Sequence, residues 1–521
     1  MNEKRPPIDK MRTCAMTERA KNLSFVLLGL TMLLAATWAL GYAIEPGIGL
    51  TSDSYYYVSG ADTLQAGLGF GRVAGNGEFK PTTHFPPLYS SVLLLARTAG
   101  GERIAAAAVV QQLCLLGMLA LGSLLVYRLT GLRIMVLLFI LLAGFSPAML
   151  AVFSWLLSEG MFLLLILAAL AAISQYQRSQ TTVWLIAAGI LTGLSYLTRY
   201  VGITLAAAIA LAIFMTASSQ RWRSTAIYLA SSALLPLIWM VRNVLVAGAT
   251  TNRSLGWHPI TLEKLHSGVL VMANWLLPGQ IPGIIRVGGL WVLAGILLLG
   301  SLIVWRRSRK AGLVEVSLLV FLVVYPVFLV ASISILDAAT PLDDRILSPL
   351  YPLAVIVGLV LLVRAWKTYD WPAWSRTVIV IGVALFCSLV LVRGFRQIKD
   401  MHLDGQGFAN AHWQESALIA WLNDQPDGTT LYSNELDAIY LLTGHLVYQI
   451  PIKWDPVRQQ PRDDFEEQLQ SMRSRLESKD GYLVLVETLG SQQAFFPSED
   501  ELSQGLESIL VTPLGTVYSF P

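Results

Sequence analysis

The sequence has little charge for its length. Of 521 residues, 14% are Asp, Glu, Lys or Arg and 55% are hydrophobic, whereas soluble proteins carry about 25% charged residues. This deficit, with a mean hydropathy of +0.58, excludes a soluble cytosolic enzyme and a disordered chain. The composition instead indicates a protein that lies largely in lipid.

Cysteine is also scarce. The three cysteines, Cys14, Cys114 and Cys387, have no metal-binding or redox spacing, and residues 394–521 contain none. This C-terminal part has no Gly-rich phosphate loop either, and no internal repeat is apparent along the chain. The sequence therefore excludes a disulfide framework and a cysteine-based metal centre.

The charges that are present divide the chain into two parts. Residues 394–521 contain 8 Lys and Arg against 19 Asp and Glu, whereas residues 1–393 contain 29 against 15. Parts that differ this much are expected in different solvents. We predict a cytosolic basic tail (1–21), a transmembrane domain (22–393) and an extracytoplasmic α/β domain (394–521).

Eleven uncharged runs between Asn22 and Val392 are long enough to cross a bilayer. Glu159 and Arg199 each separate two of these runs, which predicts very tight turns there. The first run is longer than the apolar region of a cleaved signal peptide, so a signal-anchor helix is expected. The predicted fold class is mainly α: a polytopic transmembrane bundle of about 11 helices with a small exported α/β domain.

Lys and Arg in the loops predict the orientation. With the N-terminus in the cytosol, 18 of them lie on inside segments, and the short outside turns carry only Arg199 and Arg345. An odd number of spans then places residues 394–521 outside a plasma or inner membrane.

Two outer loops are long, at about residues 45–103 and 242–286, and loops of this length are usually functional. The first contains a predicted helix at Ser54–Leu68 and an apolar segment at Pro87–Arg97. Both are too short to span and suit the membrane interface, as does the aromatic cluster at residues 55–57. In the C-terminal part, we predict helices at Trp413–Leu422, Glu435–Leu442, Arg462–Glu477 and Glu499–Leu506, and strands at Thr430–Tyr432, Tyr482–Glu487 and Thr516–Phe520.

Asp53 follows the first span, in the segment GLTSDSYYY. A carboxylate close to the membrane surface can act as a general base for an acceptor hydroxyl. Asp is also a preferred N-cap residue, so Asp53 could equally cap the helix predicted from Ser54. Position alone favours the cap, and the two roles are compatible.

Other polar residues in outer segments are candidates for the same chemistry. Lys80 and His84 precede an apolar segment in KPTTHFPPLYSSVLLLAR, although a single loop histidine is more often a solvated surface residue. Glu159, in LLSEGMF, is a carboxylate at the edge of apolar sequence, which is costly and so indicates function. A helix N-terminus would also favour Glu159 through the macrodipole.

Two arginines occupy equivalent positions. Arg199, in GLSYLTRYVG, could pair with Glu159, bind a phosphate in bidentate geometry, or reach to the interface. Arg345, in TPLDDRILSPLYPL, could hold a lipid phosphate, and the adjacent Asp343 and Asp344 are a weak indication of a metal site. Four charges on four segments are expected to converge on one outward-facing cleft: Asp53, Glu159, Arg199 and Arg345.

In the order of these segments, the chain resembles the GT-C glycosyltransferases, and more narrowly their bacterial protein-mannosyltransferase-like and lipid-A-sugar-transferase-like branch. The resemblance covers roughly residues 22–365 and rests on Asp53 with YYY, HFPPLYSSVLLL, LLSEGMFLLL, AGILTGLSYLTRYVGI and DDRILSPLYPLA. The chain departs from the commonest pattern in having Asp-Ser instead of Asp-Glu after the first helix. This departure argues against one particular subfamily and against a metal site.

The resemblance implies a hexosyl or pentosyl transferase that moves a sugar, with inversion, from a polyprenyl-phosphate donor to an acceptor hydroxyl at the outer face. Asp53 would be the catalytic base. The implied donor-phosphate ligands are Arg199, Arg345, Lys80 and His84, and further cleft candidates are Glu159, Asp343, Asp344 and Tyr55. No metal ligand or definite cofactor is implied, although a divalent cation is compatible with the chemistry. The expected partners are the lipid-linked donor, an acceptor glycan, lipid or protein, and membrane lipid, without nucleic acid.

Two other classes of protein suit a bundle of this size. A transporter or flippase would have charges near the bilayer midplane and repeated halves, and the sequence has neither. A non-catalytic partner in envelope assembly would use the acidic outer domain for binding. The charges at the outer helix ends favour the transferase.

Overall fold

The computed structural model describes residues 8–216, 220–251, 255–308, 312–455, 460–478, 481–487 and 496–521. Residues 1–7 of the predicted basic tail, and Arg309 and Lys310 among the predicted cytosolic charges, lie outside the described residues.

The chain begins with a long helix, α1 (Ile8–Ala43), whose apolar part starts at Asn22. The two segments predicted to be outer loops keep that name below. The first outer loop folds into a helix, a short antiparallel hairpin and a second helix: α2 (Ser52–Gln65), β1 (Gly71–Val73), β2 (Phe79–Pro81) and α3 (Leu88–Thr98). Both helices predicted for this loop are therefore present, and neither has the length of a span.

Seven apolar helices follow: α4 (Ala105–Thr130), α5 (Arg133–Gly144), α6 (Pro147–Phe153), α7 (Glu159–Ser179), α8 (Thr182–Thr198), α9 (Ile203–Thr216) and α10 (Arg221–Ala247). A 3₁₀ turn at Tyr200–Gly202 joins α8 to α9. Helices α5 and α6 meet at 60°, because Ser146 caps a new helix that begins at Pro147. One predicted span is thus broken near its middle.

The second outer loop starts after α10 and contains α11 (Leu262–Leu276). The remaining helices are α12 (Gly283–Ser308), α13 (Leu313–Ile335), the single turn α14 (Asp344–Leu347), α15 (Leu350–Thr368) and α16 (Ala373–Asp404). The helix α16 continues past the predicted domain boundary at residues 393 and 394, and ends before Gly405, whose φ of +67° favours glycine.

Within the described ranges, eight helices are long and apolar enough to cross a membrane: α1, α4, α7, α10, α12, α13, α15 and α16. The bent pair α5–α6 would form one more span, and α8 and α9 are shorter apolar helices. Each of the eleven predicted runs contains a helix, but eight helices, or nine with the bent pair, qualify as spans in the described ranges, so the predicted count of about 11 is not confirmed. Arg199 lies in a tight turn between α8 and α9, whereas residues 154–158 separate α6 from Glu159.

The C-terminal part is the predicted α/β domain. It contains helices α17 (Ala411–Gln414), α18 (Ala417–Asn423), α19 (Leu436–Thr443), α20 (Phe465–Ser478) and α21 (Glu499–Ser503). Its strands are β3 (Leu431–Ser433), β4 (Val447–Gln449), β5 (Trp454–Asp455), β6 (Gln460–Pro461), β7 (Tyr482–Val486), β8 (Glu507–Val511) and β9 (Gly515–Ser519). The predicted helix at Trp413–Leu422 is broken, because Ser416 caps α18, and β4 and β8 were not predicted.

The central sheet of this domain has the strand order β4–β3–β7–β9–β8. Strand β3 pairs in parallel with β4 and β7, whereas β9 pairs antiparallel with β7 and β8. Neighbouring residues on a strand point to opposite faces. Accordingly, Leu431 packs with α18 and α19, while Tyr432 packs with α20.

The bundle and the C-terminal domain share a core. Leu441 of α19 is buried in the main hydrophobic cluster, which also contains α1, α2, α4 and α7. Backbone bonds add to this contact, since Phe408 N donates to Leu50 O at 3.0 Å. At the end of α16, the ring of His402 stacks on that of Tyr42 with centroids 3.9 Å apart. The two parts therefore form a continuous packed unit.

Candidate functional site

Four charged side chains meet at one end of the bundle, and the sequence predicts this convergence. Arg345 Nη2 lies 2.6 Å from Asp53 Oδ2, and Arg345 Nε lies 3.2 Å from Glu159 Oε1. Arg199 Nη1 lies 2.5 Å from the same Glu159 oxygen. The four residues come from α2, the start of α7, the turn after α8, and α14. They form one ion network.

Glu159 is at the centre of this network. Its side chain is 2% exposed, against 17% for Arg199 and 28% for Arg345. A buried carboxylate is tolerated only when it is paired and hydrogen-bonded, and here one oxygen bonds both guanidinium groups. Glu159 is also the first residue of α7, where the helix dipole favours a negative charge. The structure therefore bears out the interpretation of Glu159 as a helix N-terminal residue, and its functional role stays a prediction.

Asp53 does not cap its helix, contrary to the interpretation that its position in the sequence favours. Helix α2 starts at Ser52 after the N-cap residue Thr51, so Asp53 lies in the first turn. Its carboxylate contacts Arg345 and its side chain is 35% exposed. The helix is held against the segment before α7, since Ser54 Oγ donates to Leu156 O at 2.9 Å. A base in this position is accessible to a substrate.

A cavity of about 560 Å³ opens beside the ion network. Asp53, Arg199, Arg345 and His84 line it, and Tyr57 and Tyr325 add hydroxyl groups. Most of the remaining wall is apolar or aromatic, including Phe85, Tyr196, Val201, Phe328, Leu329, Ile333 and Leu336. The wall of the cavity thus combines charged side chains, which also include Asp337, with apolar ones, a lining that can accept an amphipathic anion.

Four predicted site residues lie elsewhere. Lys80 is exposed on β2, on the hairpin that projects from the outer loop. Tyr55 is buried, with its ring 5.0 Å from that of Tyr440. Asp343 Oδ1 accepts from Ile346 N at 3.0 Å and so caps α14, and Asp344 accepts from Trp275 Nε1 at 2.7 Å. None of the four lines the described cavity.

The adjacent acids Asp343 and Asp344 therefore have separate structural partners. Burial raises the pKa of Asp344, and the charge of Asp343 adds to this effect. In the described part of the chain, no group of three or more His, Cys, Asp or Glu side chains could hold a metal ion.

Some residues near the site were not predicted. Tyr57 lies on α2, and its hydroxyl is 2.8 Å from Ser158 Oγ, next to Glu159. From the C-terminal domain, α19 packs against α2, and Asp437 lies close to Ser52 in the first turn of α2. Burial raises the pKa of Asp437 to about 6. The sequence gives no signal for this approach, because it depends on contacts between residues almost 400 positions apart.

By sequence, the chain matches no protein-family model and no curated protein. Its structure is similar to ArnT from Cupriavidus metallidurans, solved bound to undecaprenyl phosphate, with 14% identity and a TM-score of 0.59. This alignment covers 96% of the chain and 98% of ArnT. It is also similar to the oligosaccharyltransferase AglB from Archaeoglobus fulgidus, solved with an inhibitory peptide and a dolichol-phosphate, with 13% identity and a TM-score of 0.55.

The AglB alignment covers 88% of the chain and 69% of AglB. At these identities the similarity shows the fold. The predicted fold class is confirmed: the chain is a multi-pass membrane protein with the fold of the GT-C glycosyltransferases and a small C-terminal α/β domain.

Proposed function

We propose that the protein is a membrane glycosyltransferase that moves a sugar from a polyprenyl-phosphate donor to an acceptor hydroxyl at the outer face of the membrane. The observation that carries this proposal is the cavity whose wall brings Asp53, Arg199 and Arg345 together with many apolar side chains. The shared fold supports it, since ArnT was solved with undecaprenyl phosphate and AglB with a dolichol-phosphate.

In the proposed step, the acceptor oxygen attacks the anomeric carbon of the donor sugar from the face opposite the phosphate. A carbon–oxygen bond to the acceptor forms as the bond to the phosphate oxygen breaks, and the configuration inverts. Asp53 takes the hydroxyl proton as general base. The polyprenyl phosphate leaves with the bonding electron pair.

The two arginines stabilise this leaving group. Guanidinium groups bind phosphate through charge-assisted hydrogen bonds, which are stronger in a site shielded from water. Glu159 contacts both Arg199 and Arg345 and so fixes their spacing before substrate arrives. Arg345 also pairs with Asp53, and a donor phosphate at Arg345 would compete with this carboxylate and release it for base catalysis.

The apolar side of the cavity suits the first isoprenoid units of the donor, because burial of hydrocarbon surface is favourable. The energy of transfer comes from the cleaved sugar–phosphate bond. The acceptor is a glycan, a lipid or a protein that approaches from outside, with the N-terminus of the enzyme in the cytosol of a plasma or inner membrane.

The direct test is transfer by the purified protein from a labelled polyprenyl-phosphate sugar. Asp53→Asn should abolish transfer while the apparent Tm stays unchanged, because Asn keeps the shape of Asp and cannot accept the proton. Glu78→Gln, an exposed change on the hairpin turn of the same loop, is the matched control and should keep full activity.

Full activity of the Asp53→Asn variant would refute its role as base. To identify the donor, lipids from cells that lack the protein can be compared with those from the parent strain. Accumulation of one polyprenyl-phosphate sugar would name the substrate, and an unchanged lipid profile would contradict the proposed donor class.

A further inference from the structure

Helix α2 carries two carboxylates with different surroundings. Asp53 is in its first turn, at the cavity, and Asp62 is in its last turn, nine residues further on. At 1.5 Å per residue the two are separated by about 14 Å along the helix axis. Because the helix is a stiff rod over this length, whatever fixes Asp62 also fixes Asp53.

Asp62 is bonded to three side chains. Arg97 Nη1 lies 2.6 Å from Oδ1, and Arg103 Nη2 lies 2.8 Å from Oδ2. The third partner is Tyr440, whose hydroxyl donates to Oδ2 at 2.6 Å. Arg97 and Arg103 belong to the same outer loop as α2, whereas Tyr440 comes from α19 in the C-terminal domain. Asp62 therefore joins the two parts of the molecule.

Tyr440 contacts this network in further ways. Arg103 Nη1 donates to the backbone oxygen of Tyr440 at 3.0 Å, and its guanidinium carbon lies 4.4 Å from the centre of the Tyr440 ring. The same ring meets that of Tyr55, one turn after Ser52 on α2, edge to face at 5.0 Å. Tyr440 thus contacts α2 near both ends.

A second residue of α19 faces α2. Asp437 lies three positions before Tyr440, so both project from the same side of α19. Asp437 lies close to Ser52, directly before Asp53, where α19 packs against α2. The neighbouring Leu436 and Leu441 pack into the main core of the bundle. The helix α19 is therefore fastened to the bundle along its length.

From these contacts we infer that the C-terminal domain is part of the catalytic apparatus, and that Tyr440 is a positioning residue which holds α2, and with it Asp53, through Asp62. This inference rests on the proposed function. The domain supplies no group to the described cavity lining; it fixes the element that carries the base.

The test compares Tyr440→Phe with Tyr482→Phe in the full-length protein. Tyr482 lies on β7 of the same domain, with its ring 5.0 Å from that of Trp421 and away from α2. Tyr440→Phe keeps the ring contacts and removes the bond to Asp62. We expect its kcat to fall about tenfold, the loss of one charge-assisted hydrogen bond, with the donor KM within twofold. Tyr482→Phe should change neither.

A second variant tests whether Tyr440 acts through Asp62. In an Asp62→Asn background, Tyr440→Phe should cause no further loss of kcat, because residues that act through one bond are not additive. Additive losses would overturn the inference, as would a Tyr440→Phe enzyme with normal kcat.

Hydrogen–deuterium exchange separates this inference from the proposed function. The amides of residues 52–58 should exchange faster in Tyr440→Phe than in the parent and in Tyr482→Phe, whatever reaction the protein catalyses. Faster exchange in a protein with no transferase activity would support the link to α2 and refute the proposed function. Unchanged exchange in an active enzyme would overturn the link alone.

Discussion

Two carboxylates in this molecule each bind two arginines, and their surroundings differ. Glu159 bonds Arg199 and Arg345, both of which line the cavity. Asp62 bonds Arg97 and Arg103, and these arginines also donate to backbone carbonyl oxygens, of Arg103 and Tyr440 respectively. The difference lies in where the guanidinium groups point. Around Asp62 they bond other protein groups and link α2 to the C-terminal domain, and this cluster is called the joint below. Around Glu159 they line the cavity.

The two carboxylates also differ in their exposure to solvent. The side chain of Glu159 is 2% exposed and that of Asp62 is 26% exposed. The arginine network lowers the pKa of Asp62 despite its partial burial, and the hydrogen bond from Arg103 contributes most to this. An ion cluster that is partly solvated can be altered at moderate cost, whereas a buried one cannot.

The largest effect is expected from Glu159→Leu, which removes the more buried of the two carboxylates. Two half-buried guanidinium groups would lose their shared, buried partner, at a cost of up to about 3–5 kcal/mol in unfolding free energy. The variant should express poorly, show a much lower apparent Tm in detergent, and bind no donor. Asp62→Leu is the matched change at the second cluster and should cost less. Equal losses would show that burial does not distinguish the two clusters.

A smaller effect is expected from Arg345→Ala set against Arg103→Ala. Loss of a charge-assisted bond worth about 1.5–3 kcal/mol should raise the donor KM roughly tenfold to a hundredfold for Arg345→Ala. Arg103→Ala should leave the donor KM within twofold and lower kcat, because it loosens α2 instead. The two constants are measured over a range of donor concentrations. A raised KM in both variants would mean that Arg103 also affects donor binding, and that the two arginines do not have separate roles.

The smallest effect is a pH dependence at the joint. Burial raises the pKa of Asp437 to about 6, from an unfolded value near 4. Between these values the folded protein holds more protons than the unfolded one, so this contribution to stability is fully present below about pH 4 and lost as pH rises through about 6. Asp437→Asn should flatten the apparent Tm of the full chain over this window.

The control for this measurement is Asp427→Asn, an exposed change in the same domain. It should keep the pH dependence of the parent protein. An unchanged slope in the Asp437→Asn variant would assign the titration to another group; Glu435 is the nearest such group, since burial raises its pKa to about 7.

The sequence predicts the cavity cluster better than the joint, and the reason is physical. Asp53, Glu159, Arg199 and Arg345 are isolated charges at the ends of apolar runs, and the membrane forces such ends to one surface. Their convergence follows from topology alone. Lys80 and Tyr55 do not line the described cavity, because the path of a loop depends on its tertiary contacts, which local sequence does not determine.

The C-terminal domain shows the same limit. Its predicted helices and strands are largely present, because alternation and helical period are local properties. The strand β8 was not predicted, although it contains the apolar residues Ile509, Leu510 and Val511, and most of its residues are exposed. The contact between Tyr440 and Asp62 joins residues 378 positions apart. Each residue on its own is an ordinary member of an amphipathic helix.

Because α16 is unbroken, insertions and deletions within it are constrained. It runs from Ala373 to Asp404 as a single helix of 32 residues. Gly394 lies so close to Phe145 O that a Cβ added to this glycine would clash with that oxygen. Each inserted residue would turn everything beyond it by about 100° and advance it by about 1.5 Å. One insertion after Gly394 would therefore swing the domain off α2, although neither domain had changed. Related sequences should therefore tolerate substitutions at surface positions of α16, but they should rarely gain or lose a residue there.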